Sequence, residues 1–332
     1  MLIVGCGSIG ERHLRCFLNT GRATATACDR DQTRLAQIAA TYAVPVTTDA
    51  DAARASGRFD AVVICAPAPA HVPLARRTLA AGLHVLVEKP LSHSLDGVAE
   101  LLAESAQSPR QVAVAYVYHV YPFLVAAQAF LKAASFGRVF HASVTSGHPF
   151  HLLRPAYAKT YFRDRATGGG AIQDALTHVA NWIEHILGPT DSVVCDCAHL
   201  ALPDVDVEDT AHVHARHGRT LVSYALNQFQ APNESTVQFD AAGGSVKIEF
   251  HRQRWSTWSA GATDWTWHEA SVPERDSHFT AQAHAFLDQI EGQPPRLCSL
   301  QAAAQTLRFN LACLASAQAD RRIFCRTLSP HA

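Results

Sequence analysis

Short apolar runs separated by helix-like stretches set the rhythm of the first third of the chain. Residues 2–4 (LIV), 23–28 (ATATAC), 61–66 (AVVICA), 84–87 (HVLV) and 112–117 (VAVAYV) are short and dominated by apolar side chains. They read as strands buried on both faces, and the segments between them read as helices. The pattern predicts β-α-β units and a parallel sheet covered on both sides. Beyond about residue 120 the rhythm changes. A helix is expected near 122–134, a strand at 138–146 (RVFHASVTS), a helix following the glycines at 168–170, and then strands in succession. TAHVHAR and TLVSYALNQ flank His217-Gly218, and STVQFD and SVKIEF flank the AAGG of 241–244, so two antiparallel hairpins are predicted. Ala-rich segments near 279–291 and 299–319 read as closing helices. The fold class expected is α/β: an N-terminal doubly wound parallel sheet over 1–117, then an α+β domain with a mostly antiparallel open sheet over 118–332, whose C-terminal helices are free to pack back on the first domain.

A length of 332 residues agrees with two domains, and 48% hydrophobic against 17% charged residues agrees with two real cores. Lys plus Arg number 28 and Asp plus Glu 29, so there is no basic field for nucleic acid. Nine cysteines, an odd number without a C-x-x-C pair, suggest neither a disulfide framework nor a zinc ribbon. The chain passes from Met1 straight into a strand, with no signal-like start and no long apolar run. A cytoplasmic protein without a membrane span is expected.

Residues 5–10 read GCGSIG, the G-x-G-x-x-G pattern, after an apolar strand and before a helical segment. Gly5, Gly7 and Gly10 permit a tight turn and close backbone approach, and Ser8 and Ile9 open a helix whose unpaired N–H groups suit a pyrophosphate. This matches the fingerprint of a Rossmann domain, a glycine-rich turn of some other α/β protein being the plain alternative. The next strand ends at Asp29, where a carboxylate can bond both ribose hydroxyls of NAD; it would repel a 2′-phosphate, which adjacent Arg30 could attract. NAD is therefore expected ahead of NADP. Two further strands end in segments placed to meet such a cofactor, Ala66-Pro67-Ala68-Pro69 leading to His71, and Glu88-Lys89-Pro90. A solvated turn is the plain alternative for Lys89.

GCGSIG, APAPAH, VEKP and GGGAIQDALTH, in this order and spacing over nearly the whole chain, resemble the Gfo/Idh/MocA family, named for glucose-fructose oxidoreductase and inositol dehydrogenase. The resemblance implies a Rossmann domain followed by a domain whose open sheet often supports dimers or tetramers, so a homodimer or homotetramer is expected. It implies a catalytic set of Lys89, Asp174 and His178, and sugar, inositol or sugar-derivative substrates used with NAD(P). GSIGERHLR and VDVEDTA at 205–211 look most like a bacterial branch tied to sugar and surface-polysaccharide metabolism. Where relatives carry an asparagine and an arginine, YVYHVYP has Val117 and His119, a departure at a substrate contact.

Oxidising a secondary alcohol requires the hydroxyl proton to leave as the C–H bond breaks. A near-neutral imidazole suits both directions, which makes His178 the first choice for general acid/base, with Lys89 stabilising alkoxide character or itself accepting the proton. Asp174 would orient the histidine or hold a neighbouring hydroxyl. His119, His148 and Tyr161, with Lys89, Asp174 and His178, are candidate substrate contacts. Periodicity alone leaves a plainer reading open: Asp174, His178, Asn181 and His185 would also line the wet side of a surface helix. His212 and His214 share a strand face without a third ligand, so no metal is expected. Cys195 and Cys197 read as packing residues, and the Trp255, Trp258, Trp265 and Trp267 group as core packing, a pocket cap or a subunit contact. Two rival functions stay open, a redox-neutral glycoside hydrolase or lyase acting through a transient keto-sugar, and a non-catalytic NAD-binding regulator.

Overall fold

A computed structural model describes residues 1–133, 136–269, 274 and 276–328. The chain forms two compact units, 1–120 with 273–303, and 121–272 with 304–332.

The first unit alternates strands and helices as the apolar pattern requires. β1 (Leu2–Val4), α1 (Ser8–Asn19), β2 (Thr26–Cys28), α2 (Gln32–Tyr42), β3 (Val46–Thr47), α3 (Ala50–Ala55), β4 (Ala61–Ile64), α4 (His71–Ala80), β5 (His84–Val87), α5 (Val98–Gln107) and β6 (Val112–Val114) follow in order. The strands lie β3-β2-β1-β4-β5-β6, all parallel. β4 and β5 bury every side chain, which is why they read as continuous apolar runs without alternation. Register aligns Val4 with Cys28 and Ile64, and Ile64 with Val87. The chain therefore leaves β1, β2, β4 and β5 at one edge of the sheet, and Gly5, Asp29, Ala66 and Glu88 follow there. Ligands of open α/β sheets bind beyond such an edge.

The second unit opens with α6 (Pro122–Leu131), shorter than the helix expected near 122–134, whose last position lies outside the described residues. β7 (Val139–Gly147), α7 (Phe150–Leu153), three short turns and a helix follow; that helix starts as a π turn, Ile172–Leu176, and continues as α8 (Thr177–Leu187). Then come β8 (Ser192–Ala198), β9 (Thr210–His217), β10 (Thr220–Asn227), β11 (Glu234–Ala241), β12 (Gly244–Glu249), β13 (Arg254–Ser259) and β14 (Thr266–Glu269). Both hairpins form; the first turns at Gly218-Arg219, one residue beyond the expected His217-Gly218 because His217 pairs with Thr220, and the second turns within 241–244 as expected. The tryptophan segment supplies β13 and β14, with Trp255 buried and stacked on His268 at 4.1 Å.

Two later segments belong to the first unit: α9 (Ser277–Ile290), and β15 (Cys298–Ser299), which pairs antiparallel with β6. α10 (Leu300–Ala319) begins in the first unit and continues in the second, where β16 (Ile323–Phe324) pairs with β8. The large sheet runs β14-β13-β12-β11-β7-β10-β9-β8-β16, antiparallel except where β7 meets β10. One face carries the core. Trp182 of α8 meets Phe239 at 5.9 Å, and Tyr224 meets Phe309 of α10 at 5.6 Å. The other face carries the alternate residues, His212, His214 and Arg216 on β9 among them. No group of three His, Cys, Asp or Glu among the described residues is placed to hold a metal. Nor is any described helix long and apolar enough to cross a membrane.

Candidate functional site

The glycine loop of the first unit divides its three glycines by task. Gly5 has φ +88°, and a Cβ there would lie 2.8 Å from the Ala66 nitrogen and the Cys65 carbonyl. A Cβ at Gly10 would collide with the Gly5 carbonyl oxygen, whereas at Gly7 nothing lies within 4 Å. Gly5 and Gly10 thus let α1 pack against β1 and β4, and Gly7, Ser8 and Ile9 leave open backbone where the helix begins. That arrangement fits a pyrophosphate held by helix N–H groups.

Asp29 is fixed before any ribose arrives. Its Oδ2 accepts the Cys6 N–H at 2.6 Å and its Oδ1 the Asp31 N–H at 3.0 Å. Burial pushes the carboxyl up, but these donors and a guanidinium hold it below its usual range. That guanidinium belongs to Arg34, with Nη1 3.4 Å from Asp29 Oδ2, one helical turn beyond the Arg30 that sequence reasoning singled out. Arg34 also lines a 580 Å³ cavity with Gly7, Ser8, Glu11 and Gln37. An ionised carboxylate at the end of β2 is what two ribose hydroxyls require.

Two residues expected to touch the cofactor spend their side chains on the protein instead. Both ring nitrogens of buried His71 face carbonyls, Nδ1 that of Pro90 at 2.8 Å and Nε2 that of Ala66 at 2.6 Å. His71 braces the Ala66-Pro67 loop against the loop after β5, and burial pushes its pKa down. Glu88 turns inward: Oε1 accepts from His13 Nε2 of α1 at 2.7 Å, and Oε2 accepts the Lys89 N–H at 2.9 Å. Burial pushes the Glu88 carboxyl up, yet His13 and Lys89 leave it net below the usual range. The backbone of Lys89 is thereby tied to the helix that opens at the glycine loop. Strand position gave no sign of either arrangement, because it does not say which way a side chain turns. His119 lies buried in the turn Val117–Val120 of the same unit.

In the second unit one helix runs from Ile172 to Leu187. It is not a surface helix: Ile172, Leu176, Val179, Ala180, Trp182 and Ile183 are buried. Asn181, on the expected wet stripe, is 2% exposed and donates to Thr306 Oγ1 of α10 at 2.9 Å. Asp174 and His178 stay partly exposed in its first two turns. Asp174 sits inside the π turn, where its N–H bonds Gly170 O at 3.0 Å. Such turns widen a helix locally and recur at functional sites. Around Asp174 stand two of the expected substrate contacts. Tyr161 OH donates to its Oδ1 at 2.5 Å, and His148, whose pKa burial pushes down, feels the opposing pull of the Asp174 charge.

Glu208 was missed. It lies in the VDVEDTA segment, accepts the Ile172 N–H at 3.1 Å, and pairs with Arg165 at 3.0 Å. An acidic pair set among apolar residues was the available signal.

Comparison with known proteins places these features. Residues 1–116 match the model of an oxidoreductase family with an NAD-binding Rossmann fold, and residues 124–251 match the GFO/IDH/MocA C-terminal domain. A D-xylose 1-dehydrogenase (NADP(+)) of Haloferax volcanii is 30% identical over 193 residues, 58% of each chain. An inositol 2-dehydrogenase of Burkholderia multivorans is 27% identical over 191 residues, 56% of this chain and 53% of that one. The chain thus spans somewhat over half the length of these curated relatives. The crystal structure of a levoglucosan dehydrogenase with NADH and levoglucosan superposes with a TM-score of 0.86 over 98% of both chains at 18% identity, a likeness of fold.

Proposed function

The chain belongs to the Gfo/Idh/MocA oxidoreductase family, and on that premise we propose that it transfers a hydride between NAD(H) and a secondary alcohol or ketone of a sugar, sugar derivative or polyol. One observation carries the reading: on a helix whose first turns are otherwise packed into the protein, the polar side chains left partly accessible near the glycine triplet are a carboxylate and an imidazole. Relatives that act on xylose and inositol support the substrate class.

The bound nicotinamide supplies the hydride acceptor or donor. Gly7, Ser8 and Ile9 would hold the pyrophosphate and Asp29 the ribose hydroxyls. His178 accepts the hydroxyl proton of the substrate and returns it in the reverse direction. Lys89 provides a cation for the alkoxide character that develops on the same oxygen. Asp174, fixed by Tyr161, orients the histidine or a neighbouring hydroxyl, and His148 and Tyr161 bound the substrate. His119 is the third candidate contact.

Free thiols at all nine cysteines support a reducing, cytoplasmic setting. A homodimer or homotetramer is supported by exposed Leu221 and Val194 on the polar face of the large sheet, and sedimentation would measure it.

The test is a panel of pentoses, hexoses, inositols and sugar derivatives with NAD, followed at 340 nm alongside product analysis. Stoichiometric NADH and keto product from at least one member are expected. A cleaved glycoside without net NADH, or no reaction with the whole panel, contradicts the proposal.

A further inference from the structure

Glu208 touches no reacting atom in the chemistry above, yet it is among the most constrained carboxylates in the second unit. Its side chain is wholly buried, in the segment between β8 and β9. Oε1 accepts the N–H of Ile172, the first residue of the π turn, at 3.1 Å, and its backbone carbonyl accepts that of Ala171 at 2.8 Å. Oε2 receives Arg165 through Nε and Nη2, both at 3.0 Å. Gly170 has φ +91°, and a Cβ there would strike the Glu208 carboxylate, so the chain closes around this group.

The two oxygens hold two different things. Through Ile172 the carboxylate holds the turn that carries Asp174. Through Arg165 it holds the loop that carries Tyr161, which is tied in at both ends: Thr167 Oγ1 donates to Tyr161 O at 2.7 Å, and the Gly170 N–H to Phe162 O at 3.1 Å. The 2.5 Å hydrogen bond from Tyr161 to Asp174 spans these two pieces. From this geometry we infer that Glu208 is a positioning residue, fixing the Tyr161 loop against the Asp174 turn so that Asp174 presents one orientation to a substrate. The inference rests on Asp174 belonging to the reacting centre, as proposed above.

A cap serving stability alone would not be built this way. A buried carboxylate is costly, and a glutamine of the same shape can accept from Ile172 without the charge. Burial pushes the Glu208 carboxyl up even beside Arg165. Its folded form favours the proton, so the stability it gives is complete at low pH and is lost as pH rises through the raised value. What a carboxylate adds to a glutamine of the same shape is its pair of contacts with Arg165.

The full chain with NAD and a substrate it turns over tests this through E208Q, R165Q and the double variant. Both single variants are expected to lower kcat on the order of a hundredfold, the scale of a misplaced reacting group. NAD affinity is expected to stay unchanged, the melting temperature of E208Q not to fall, and the double variant to lose no more than E208Q. R165K, which keeps one charged bond to Oε2, should retain most of the activity. Amide exchange over 161–176 should quicken in E208Q and R165Q while 179–187 keeps its protection. Wild-type kcat in E208Q, or wild-type exchange over 161–176, overturns the inference. A kcat loss matched by a fall in melting temperature makes Glu208 structural only, which also overturns it. If wild-type protein turns over no substrate, it is the functional reading that has failed, and the exchange measurement still decides the positioning.

Discussion

Asp29 and Glu208 are both partly or wholly removed from water, and their surroundings drive them in opposite directions. The donors around Asp29 favour its charged form. Its contribution to stability is therefore complete above about pH 4, the unfolded value, and is lost as pH falls through the lowered folded value. Asp29→Asn should lose less stability than wild type between pH 5 and pH 2 on the order-of-magnitude scale of one such carboxylate, which thermal melts across that range would measure. The same variant should weaken NAD binding, because an amide offers one uncharged acceptor oxygen where the carboxylate offers two charged ones; unchanged affinity by calorimetry would remove Asp29 from the cofactor site. The glycines and Asp29 were legible because a pyrophosphate and a ribose restrict residue type at fixed spacing. His71, Glu88 and Arg34 were not. The partner of Glu88 is His13, 75 residues earlier, and only the folded sheet edge brings the two together.

At the scale of elements, the strands of the first sheet were readable because strands buried on both faces leave short apolar runs, although their ends were set by hydrogen bonding that composition does not show. ATATAC became a strand of three residues, Thr26–Cys28. The wheel drawn for the 172–187 helix showed which residues share a face, but not that α10 meets part of its polar side, bonding Asn181 through Thr306 and Thr177 through Asn310. Nor does any residue pattern announce the π turn at Asp174. Two variants probe these elements. Trp182→Ala removes the largest fully buried side chain of α8 and should cost about 3–5 kcal/mol in chemical denaturation. Gly10→Ala drives a Cβ into the Gly5 carbonyl and should force α1 away from the glycine loop. Its NAD dissociation constant is expected to rise by at least roughly tenfold, about 1.4 kcal/mol, and wild-type affinity would mean that the loop does not hold the pyrophosphate.

Across the whole molecule, the change of pattern near residue 117 marked two parts, and the compact units divide after Val120 with 273–303 counted in the first. The C-terminal helices were expected to be free to pack back on the first part; which residues return was not readable, since an Ala-rich helical segment carries no mark of the sheet it will join. The nine cysteines make a global prediction. All are free and eight are buried, with Cys197 partly exposed. The Cys195 thiol and burial push the partly exposed Cys197 thiol up, so a native thiol titration should find no fast thiol and the denatured chain should show nine; several fast thiols in the native state would contradict the packing described.

The central claim is that Asp174 and His178 belong to a hydride-transfer site together with Lys89. Its most direct test is steady-state turnover of Lys89→Ala and His178→Ala on the best substrate of the panel, with NAD affinity measured in parallel. Loss of about 10²- to 10⁴-fold in kcat, the scale of a positioned proton-transfer group, with wild-type NAD affinity is the predicted result. Wild-type kcat in both variants would contradict it.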